Sequence, residues 1–370
     1  MKATPVIAGM LAALAFSPWP AAAQQTTPPL AIERIADGLA HPWAVEVLPD
    51  GDYLVTERPG RLTIISPEGA KHEVAGLPDL HVGGQGGLLD VALDPAFDDN
   101  GRIYFTASVS GRGGQGTAVY RATLDRPQSR LENVGQIFAM NRFSGTSRHF
   151  GSRIAIDGSG NLFFGIGDRG EGERAQDPAD HAGSILHIGP DGGIPEANPT
   201  PAGWQPEIWS IGHRNPQGIA IDPETGTLYT VEHGARGGDE INTPRAGQNH
   251  GWPEISYGVH YSGAKIGQGT EAPGLEQPLY YWDPSIAPGA IAVYRGEMFP
   301  EWDGDFLVTA LKDQLLAHIG RDETGLPATE NRLFANEFGR LRDVKVAPDG
   351  SVLLVSDEPD GSLLRVYRAD

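Results

Sequence analysis

One hairpin pattern recurs six times along this chain, and this repetition limits the folds that the chain can adopt. Each copy has an apolar run of alternating residues, a turn containing Asp, Pro or Gly, and a second alternating run. Alternation with a period of two around such turns is typical of antiparallel β-hairpins. The copies begin at Ala44, Leu88, Arg153, Gly218, Ala292 and Val344. The chain is therefore predicted to consist of one repeated β unit.

The spacing of the copies predicts the architecture. Their turn glycines lie 46 to 78 residues apart, which suits a four-stranded unit with loops of unequal length. These glycines are Gly51, Gly101, Gly160, Gly226, Gly304 and Gly350. We predict an all-β fold, a six-bladed β-propeller with four-stranded antiparallel blades, whose ring closes by pairing early and late segments. A β-sandwich is the competing fold, but it would not need the same hairpin six times.

The loops predict where binding residues lie. The longest insertions, at about residues 171–209 and 237–288, fall between the third and fifth repeats. Loops on one rim of a rigid scaffold usually carry the binding residues. Only short helix is expected, around residues 174–185. Since no linker or low-complexity segment divides the chain, residues 24–370 are predicted to form a single domain.

The N-terminal segment has the pattern of a secretory signal peptide. Lys2 supplies a positive start, residues 6–16 are apolar, and three alanines ending at Ala23 form a cleavage site. The apolar run is too short to span a bilayer, which makes an uncleaved anchor the weaker alternative. Residues 1–23 are therefore predicted to be removed, and the protein to be periplasmic or secreted, with no membrane span.

The charge of the chain restricts its partners. The formal net charge is −20, and the chain has no cysteine. Such an acidic surface repels nucleic acid and anionic membranes. An anionic ligand would have to be held by a local basic cluster, so clustered Arg and Lys are informative here. The absence of cysteine excludes thiol chemistry and disulfides.

A histidine at the start of the third repeat is a candidate general base. His149 lies among small residues between Arg148 and Arg153. Neighbouring cations lower the pKa of an imidazole and keep it neutral, which is the state that a base requires. A lone histidine is more often structural, and the local sequence leaves both interpretations open.

Other polar side chains recur at the boundaries of the repeats. They are Gln85 among four glycines, Arg214 and Asn215 before the fourth repeat, Lys312 after the fifth, and Arg340 and Arg342 before the sixth. An Arg fork suits a carboxylate bidentately. Cations that converge on one rim would make an anion site, although each residue taken alone would more commonly be a solvated surface charge or a plain turn.

A turn after the fourth repeat has the features of a cation site. His233, Gly234 and Ala235 form a tight turn that could direct backbone carbonyls to a hard cation, and Asp239 and Glu240 add carboxylates. Calcium takes such mixed oxygen ligands. The alternative is an acidic surface turn, which is common in so acidic a protein.

Taken together, the motifs resemble those of the soluble quinoprotein glucose dehydrogenases, and more closely their aldose sugar dehydrogenase (sorbosone-like) branch. The resemblance runs from about residue 41 to residue 367. It is carried by HPWAVEVLPDGDYLVTERPGRL, GGQGGLLDVALDP, SRHFGSRIAID, GHRNPQGIA, EHGARGGDEIN, GQNHGWP, ALKDQ and GRLRDV, in the order of the family.

The resemblance implies a six-bladed propeller that holds pyrroloquinoline quinone (PQQ) and Ca²⁺ on one rim. By motif, His149 matches the proton-abstracting base. The cofactor-binding positions are matched by Gln85, Arg214, Asn215, Lys312, Arg340 and Arg342, with Tyr261 as a further contact. The backbone of Gly234 and Ala235 matches the ligands of the cofactor's calcium, and Glu240 with the backbone of His250 matches a second, structural calcium site.

The implied reaction oxidises an aldose at C1 to the lactone by hydride transfer to calcium-bound PQQ, with an external electron acceptor. His233 and Ala235 depart from the glucose branch, which has Gln and Pro there, although a backbone ligand tolerates such changes. Two alternatives stay open. A calcium-dependent lactonase would hold its metal on the central axis without a basic cluster, and a non-catalytic propeller would only bind carbohydrate or protein.

Overall fold

The computed structural model describes residues 28–199 and 201–369, and their architecture is almost entirely β. The described strands form six sheets of four antiparallel strands each. Each sheet is one blade of a ring, which confirms the predicted six-bladed β-propeller. The predicted signal peptide, residues 1–23, lies outside the described residues.

The blades follow one another along the chain, with the innermost strand first. Blade 1 contains β2 (Pro42–Val47), β3 (Tyr53–Glu57), β4 (Arg61–Ile65) and β5 (Lys71–Glu73), and blade 2 contains β6 (Leu88–Leu93), β7 (Arg102–Gly111), β8 (Gly114–Asp125) and β9 (Arg130–Ala139). Blade 3 contains β10 (Ile154–Ile156), β11 (Leu162–Ile166), β12 (Ser184–Ile188) and β13 (Ile208–Ile211).

The other three blades repeat this order. Blade 4 contains β14 (Pro216–Ile221), β15 (Leu228–Glu232), β16 (Asp239–Asn242) and β17 (Tyr280–Trp282), and blade 5 contains β18 (Pro288–Val293), β19 (Phe306–Ala310), β20 (Leu315–Arg321) and β21 (Pro327–Leu333). Blade 6 contains β22 (Leu341–Val346), β23 (Val352–Ser356) and β24 (Gly361–Arg368), and its outermost strand is β1 (Leu30–Leu39).

The ring closes within blade 6, as predicted. Strand β1 pairs antiparallel with β24, in a register that runs from Leu30 opposite Arg368 to Leu39 opposite Gly361. The early strand thus covers the outer edge of β24 and completes blade 6 as a four-stranded sheet.

The turn glycines of the sequence pattern have the conformation that the hairpins require. All six have positive φ angles, from +61° at Gly101 to +91° at Gly51. A residue with a Cβ is strained in this region. Each of these glycines links the innermost strand of a blade to the next strand, which explains why the repeat is visible in the sequence.

The hydrophobic core is divided among the contacts between neighbouring blades. The described residues form six clusters of buried side chains, and each cluster joins one pair of adjacent blades. The cluster between blades 3 and 4 is the smallest, with Phe163, Ile185, Ile219 and Leu228. Burying one such side chain contributes about 1.5–3 kcal/mol, so the rigidity of the ring is distributed over its whole circumference.

Helical structure is sparse in the described chain. One α-helical turn covers Phe97–Asn100, and 3₁₀ turns cover Gly172–Gln176 and Pro300–Trp302. The prediction of a helix over residues 174–185 is wrong beyond the first of these 3₁₀ turns, because Pro178 lacks the amide donor that a helix needs and β12 begins at residue 184. None of the described helices is long and apolar enough to cross a membrane.

Candidate functional site

A cavity of about 230 Å³ lies at the end of the central channel where the innermost strands begin. Four of the residues predicted to bind the cofactor line it, namely Gln85, Asn215, Arg340 and Arg342. They come from three different places in the sequence and meet because each one precedes or begins an innermost strand. A larger cavity of about 620 Å³ lies at the opposite end of these strands and contains none of the residues predicted for the site.

The cavity also contains polar residues whose side chains the sequence analysis did not select for the cofactor site. His41, Arg58, Gln217, His233 and Asp357 line it together with the predicted residues. The first four lie within motifs that the sequence analysis quoted, so their position at the edges of blades was the available signal. Asp357 is in an acidic turn after β23, which gave no such signal.

Asp357 is the centre of the basic cluster. Its carboxylate accepts a hydrogen bond from Arg342 Nη2 at 2.7 Å, pairs with His41 Nδ1 at 2.8 Å and lies 3.5 Å from Arg58 Nη2. Burial raises the pKa of Asp357, but the charge and hydrogen bond of Arg342 outweigh it and lower the pKa to about 2. Arg342 also donates to Gln217 Oε1 at 2.8 Å, so both ends of its fork are fixed.

Two of the other predicted cations, Arg340 and Lys312, lie toward the outer edge of this cavity. Arg340 lines it and donates from Nη1 to the carbonyl of Leu311 at 3.2 Å. The side chain of Lys312, the residue after Leu311, is 55% exposed, and its Nζ donates to the carbonyl of Ser285 at 2.5 Å. Lys312 does not line the cavity but stands on its rim, beside a residue that does.

His149 lies beside this cavity and is held from two sides. Its backbone has a φ of +57°, and its amide donates to Gln85 Oε1 at 2.7 Å. Its ring Nδ1 is 2.5 Å from Asp168 Oδ1, and the other oxygen of Asp168 accepts from Trp252 Nε1 at 2.9 Å. With Nδ1 as the donor to the carboxylate, Nε2 keeps its lone pair. A carboxylate that orients an imidazole in this way is the arrangement of a general base.

The electrostatic surroundings keep the imidazole of His149 neutral. Burial is the largest cause and lowers its pKa, the carboxylate of Asp168 opposes this, and Arg214 and Arg148 lower the pKa further. The prediction that the pKa of His149 is lowered agrees with the structure, but the predicted cause, the flanking cations, is only part of the explanation. Arg148 contributes as expected, burial is more important, and Arg214 supplies the second cation.

Arg153 performs a different task from the one that its place beside His149 suggested. Its Nη1 lies 2.8 Å from Asp90 of blade 2 and 2.9 Å from Asp343 of blade 6. The guanidinium stacks on Trp43 at 4.2 Å from the ring centroid. Arg153, which directly precedes β10, therefore connects blade 3 to blades 1, 2 and 6. Its guanidinium is engaged in these contacts, and Arg153 is not among the main groups that shift the pKa of His149.

A second, much smaller cavity of about 20 Å³ adjoins the first. Gly234, Glu240 and His250 line it, so residues predicted for two separate calcium sites occur in one place. His233 lines both cavities. Ala235, also predicted as a backbone ligand, is buried but is not among the lining residues.

The side chains around this small cavity include two acidic residues in close proximity. Glu232 and Glu240 both line it, and both accept from the amide of Asn242, at 2.8 Å and 3.1 Å. Burial and the neighbouring charge of Glu232 raise the pKa of Glu240 to about 8. The Asn242 Oδ1 atom is buried and has no hydrogen-bond partner among the described residues. Asn242 does not itself line the cavity, so the two crowded carboxylates are the groups that would suit a cation there.

The backbone is tightly packed at Gly234, which lines this cavity. A Cβ atom at Gly234 would lie 2.2 Å from the carbonyl oxygens of Gly237 and Gly238, so only glycine fits there. In the described part of the chain no three His, Asp or Glu side chains converge with metal-ligand geometry. A hard cation such as Ca²⁺ would therefore use backbone oxygens beside the carboxylates, as such ions commonly do.

The remaining predicted residues lie further out. Arg214 lines the small cavity, donates from Nη1 to the carbonyl of His233 at 3.0 Å and faces the ring of Trp252 at 5.2 Å. It thus connects the two cavities. Tyr261 is 74% exposed on the connection between β16 and β17 and lines neither cavity. The structure therefore does not bring Tyr261 to the other predicted residues.

Relatives of known name have the same sequence pattern over most of their length. The chain is 38% identical over 344 residues to the aldose sugar dehydrogenase YliI of Escherichia coli, covering 90% of this chain and 92% of the relative. It is 26% identical over 411 residues to quinoprotein glucose dehydrogenase B of Acinetobacter calcoaceticus, covering 89% and 85%.

Solved structures and a family model agree with these relatives. The PQQ-bound form of an aldose sugar dehydrogenase from Streptomyces coelicolor superposes with a TM-score of 0.75 at 28% identity, covering 92% of this chain and all of that one. The sequence model of the glucose/sorbosone dehydrogenases matches residues 39–365. This match covers nearly the whole propeller, including both cavities and His149. The chain belongs to the glucose/sorbosone dehydrogenase family.

Proposed function

We propose that this protein is a quinoprotein that oxidises aldose sugars at C1 to the lactone, with hydride transfer to calcium-bound PQQ. One observation carries the proposal. A carboxylate-oriented histidine that is kept neutral, His149, lies beside a cavity lined by a basic cluster that includes Arg58, Arg340 and Arg342. Basic residues converge here although the chain as a whole has a charge of −20.

The basic cluster suits a ligand with several carboxylates. PQQ has three carboxylates, and planar guanidinium forks bind such groups bidentately. Arg342 is fixed by Asp357 and Gln217 before any ligand arrives, so little side-chain entropy is lost on binding. Lys312 on the rim is exposed and can turn toward a ligand that extends beyond the cavity.

His149 would accept the proton of the C1 hydroxyl at Nε2. Asp168 fixes the tautomer through Nδ1 and stabilises the imidazolium that forms, while Trp252 and the amide of Gly170 hold the carboxylate in place. When bound, the quinone would supply the redox chemistry for the oxidation at C1. The protein contributes the base, its orientation and the binding of the cofactor.

The small cavity would hold the calcium. The carboxylates of Glu232 and Glu240 and the backbone oxygens of the lining residues are hard ligands. A divalent cation there would offset the repulsion between Glu232 and Glu240 and polarise a carbonyl bound next to it. The sequence assigned Gly234, Glu240 and His250 to two calcium sites, and we propose that they belong to one site in this cavity. Ala235 would then be a neighbour of the ligands and not a ligand itself.

The proposal also includes three expectations from the sequence. The protein is exported, residues 24–370 form a single domain, and an external acceptor takes up the electrons. The convergence of Arg340 and Arg342 on one cavity supports the quinone over a lactonase, which would need no basic cluster. A purely binding propeller would not need a neutral, oriented imidazole beside that cluster.

The test is reconstitution of the cofactor-free protein. Purified protein is titrated with PQQ in the presence of Ca²⁺, and dye reduction with an aldose is measured, together with the lactone trapped as its hydroxamate. We expect activity that requires both PQQ and Ca²⁺, disappears with a chelator and returns with added Ca²⁺. Lactone hydrolysis without PQQ would establish the lactonase instead, and sugar binding without dye reduction at saturating PQQ would establish the binding propeller.

A further inference from the structure

The loop that carries His149 has an anchor that the proposed reaction does not yet use. Arg169 directly follows Asp168 in the connection between β11 and β12, and its side chain is fully buried, at 0% exposure. Within the described ranges it forms no ion pair with a carboxylate. Burying a guanidinium without a paired carboxylate is costly, so such a residue must have strong alternative partners.

Those partners are the carbonyl oxygens of the histidine loop. Arg169 Nη2 donates to the carbonyl of Thr146 at 2.9 Å, and Nη1 makes a short hydrogen bond to the carbonyl of Arg148. The guanidinium also stacks on the ring of Phe150, 3.6 Å from its centroid. Arg169 therefore contacts the chain on both sides of His149.

The intervening peptide groups are fixed by Gln85. The backbone amide of Gln85 donates to the carbonyl of Ser147 at 2.8 Å, and its side-chain oxygen accepts from the backbone amide of His149. Every peptide group from Thr146 to His149 thus has an anchor, and two of these anchors are the two arms of one guanidinium. A planar fork can hold two carbonyls in a fixed relative position, which a flexible ammonium cannot do.

The loop needs such anchors because its backbone is unusual. His149 has a φ of +57° and Ser152 has a φ of +98°, both in the region that disfavours residues with a Cβ. Such conformations persist only where the surroundings determine them. A relaxed loop would rotate the imidazole away from Asp168 and from the cavity.

We propose that Arg169 is a positioning residue that clamps the loop of His149 and so fixes the base for catalysis. The inference rests on the proposed function and deepens it. Arg169 does not touch the cofactor cavity, and its effect is transmitted through the carbonyls of Thr146 and Arg148.

The test compares two buried arginines of the same connection. In Arg169→Met the length is kept and both donors are lost, and in Arg169→Lys the charge is kept without the fork. Arg174→Met is the matched control, because Arg174 is also buried but binds Asp180 and the carbonyl of Arg142. For each variant we measure the PQQ dissociation constant, kcat and KM of the reconstituted protein, and amide hydrogen exchange of residues 146–149 in the cofactor-free protein.

We expect Arg169→Met to lower kcat by about tenfold to 10²-fold, as small misplacements of catalytic groups do. KM and the PQQ dissociation constant should stay within about twofold of wild type, since no cavity residue changes. Exchange at residues 146–149 should become faster. Arg169→Lys should recover part of kcat, and Arg174→Met should change neither kcat nor this exchange.

The clamp is refuted if Arg169→Met keeps wild-type kcat and exchange, or if Arg174→Met causes the same losses. If Arg169→Met does not fold, Arg169→Lys decides, and wild-type kcat and exchange in that variant would overturn the inference. If the wild-type protein oxidises no aldose, the proposed function fails, while exchange in the cofactor-free protein still tests the clamp.

Discussion

Replacing His149 by glutamine separates proton transfer from everything else that the site does. The amide of glutamine can donate to Asp168 in place of Nδ1, and the bond from the main chain to Gln85 does not depend on the side chain. Asp168 also keeps its bonds to Gly170 and Trp252, so no carboxylate is left buried without donors. We therefore expect a folded protein with an intact cavity.

The size of the effect follows from what glutamine cannot do. Its amide is not basic, so the proton of the C1 hydroxyl has no acceptor when the hydride leaves. Loss of a general base lowers the rate by about 10²–10⁴-fold. This corresponds to about 3–5 kcal/mol in the activation free energy. The PQQ dissociation constant should change by less than about twofold, because the predicted carboxylate-binding cations remain in place.

Two other imidazoles line the cavity and serve as the comparison. His233 Nε2 lies 2.7 Å from the carbonyl of Pro288, and His41 pairs with Asp357. Each is replaced by glutamine in parallel, and dye reduction is measured across a PQQ titration. We expect the His41 and His233 variants to bind PQQ more weakly but to keep most of their kcat at saturation.

The opposite pattern would refute the assignment. Near-normal turnover of His149→Gln at saturating PQQ, with a loss of 10²-fold or more in either of the other variants, would identify another base. In that case the pairing of His149 with Asp168 would be structural.

Three further predictions follow from the same geometry. Arg342→Ala should weaken PQQ binding by about 10- to 100-fold, measured by titration, and excess PQQ should restore part of the activity. Asp357→Asn should lower the free energy of unfolding of the cofactor-free protein by about 2 kcal/mol at neutral pH, because the pKa of Asp357 is held at about 2 instead of 3.8. This difference is fully present above pH 3.8 and should shrink as the pH falls towards 2 in urea unfolding; a constant difference would contradict it. Asp168→Asn should lower kcat by up to about 10⁴-fold, and it should move the acid limb of the pH profile to lower pH, because the carboxylate raises the pKa of His149.

The fold was predictable because its repeat is local. The alternation of each innermost strand and the turn glycine that follows it, such as Gly51, lie within about 15 residues of each other, so the pattern is visible without any tertiary information. The positions of Gln85, Arg340 and Arg342 could be predicted for the same reason, since the start of every innermost strand faces the same end of the channel.

The rest of the site depends on contacts between distant segments. Trp252 is 84 residues away from Asp168, and Asp357 joins His41 across nearly the whole chain. No local pattern distinguishes such partners from ordinary loop residues. Arg153 shows a second difficulty. Side chains along a strand alternate in direction, so the sequence alone does not tell whether an arginine at the start of a strand faces a neighbouring histidine or the channel.

The pairing of β1 with β24 places the basic cluster where the early and late parts of the chain meet to close the ring. His41 follows β1, whereas Asp357 and Arg342 belong to the hairpins that β1 completes, and the contact between His41 and Asp357 spans the two. A ligand that binds this cluster would contact residues from the early and the late part of the chain at once and would stabilise the closed ring. At a hundredfold excess over its dissociation constant it would add about 2.7 kcal/mol to the closed form. Ligand binding would therefore favour molecules in which β1 has paired with β24 over molecules in which it has not.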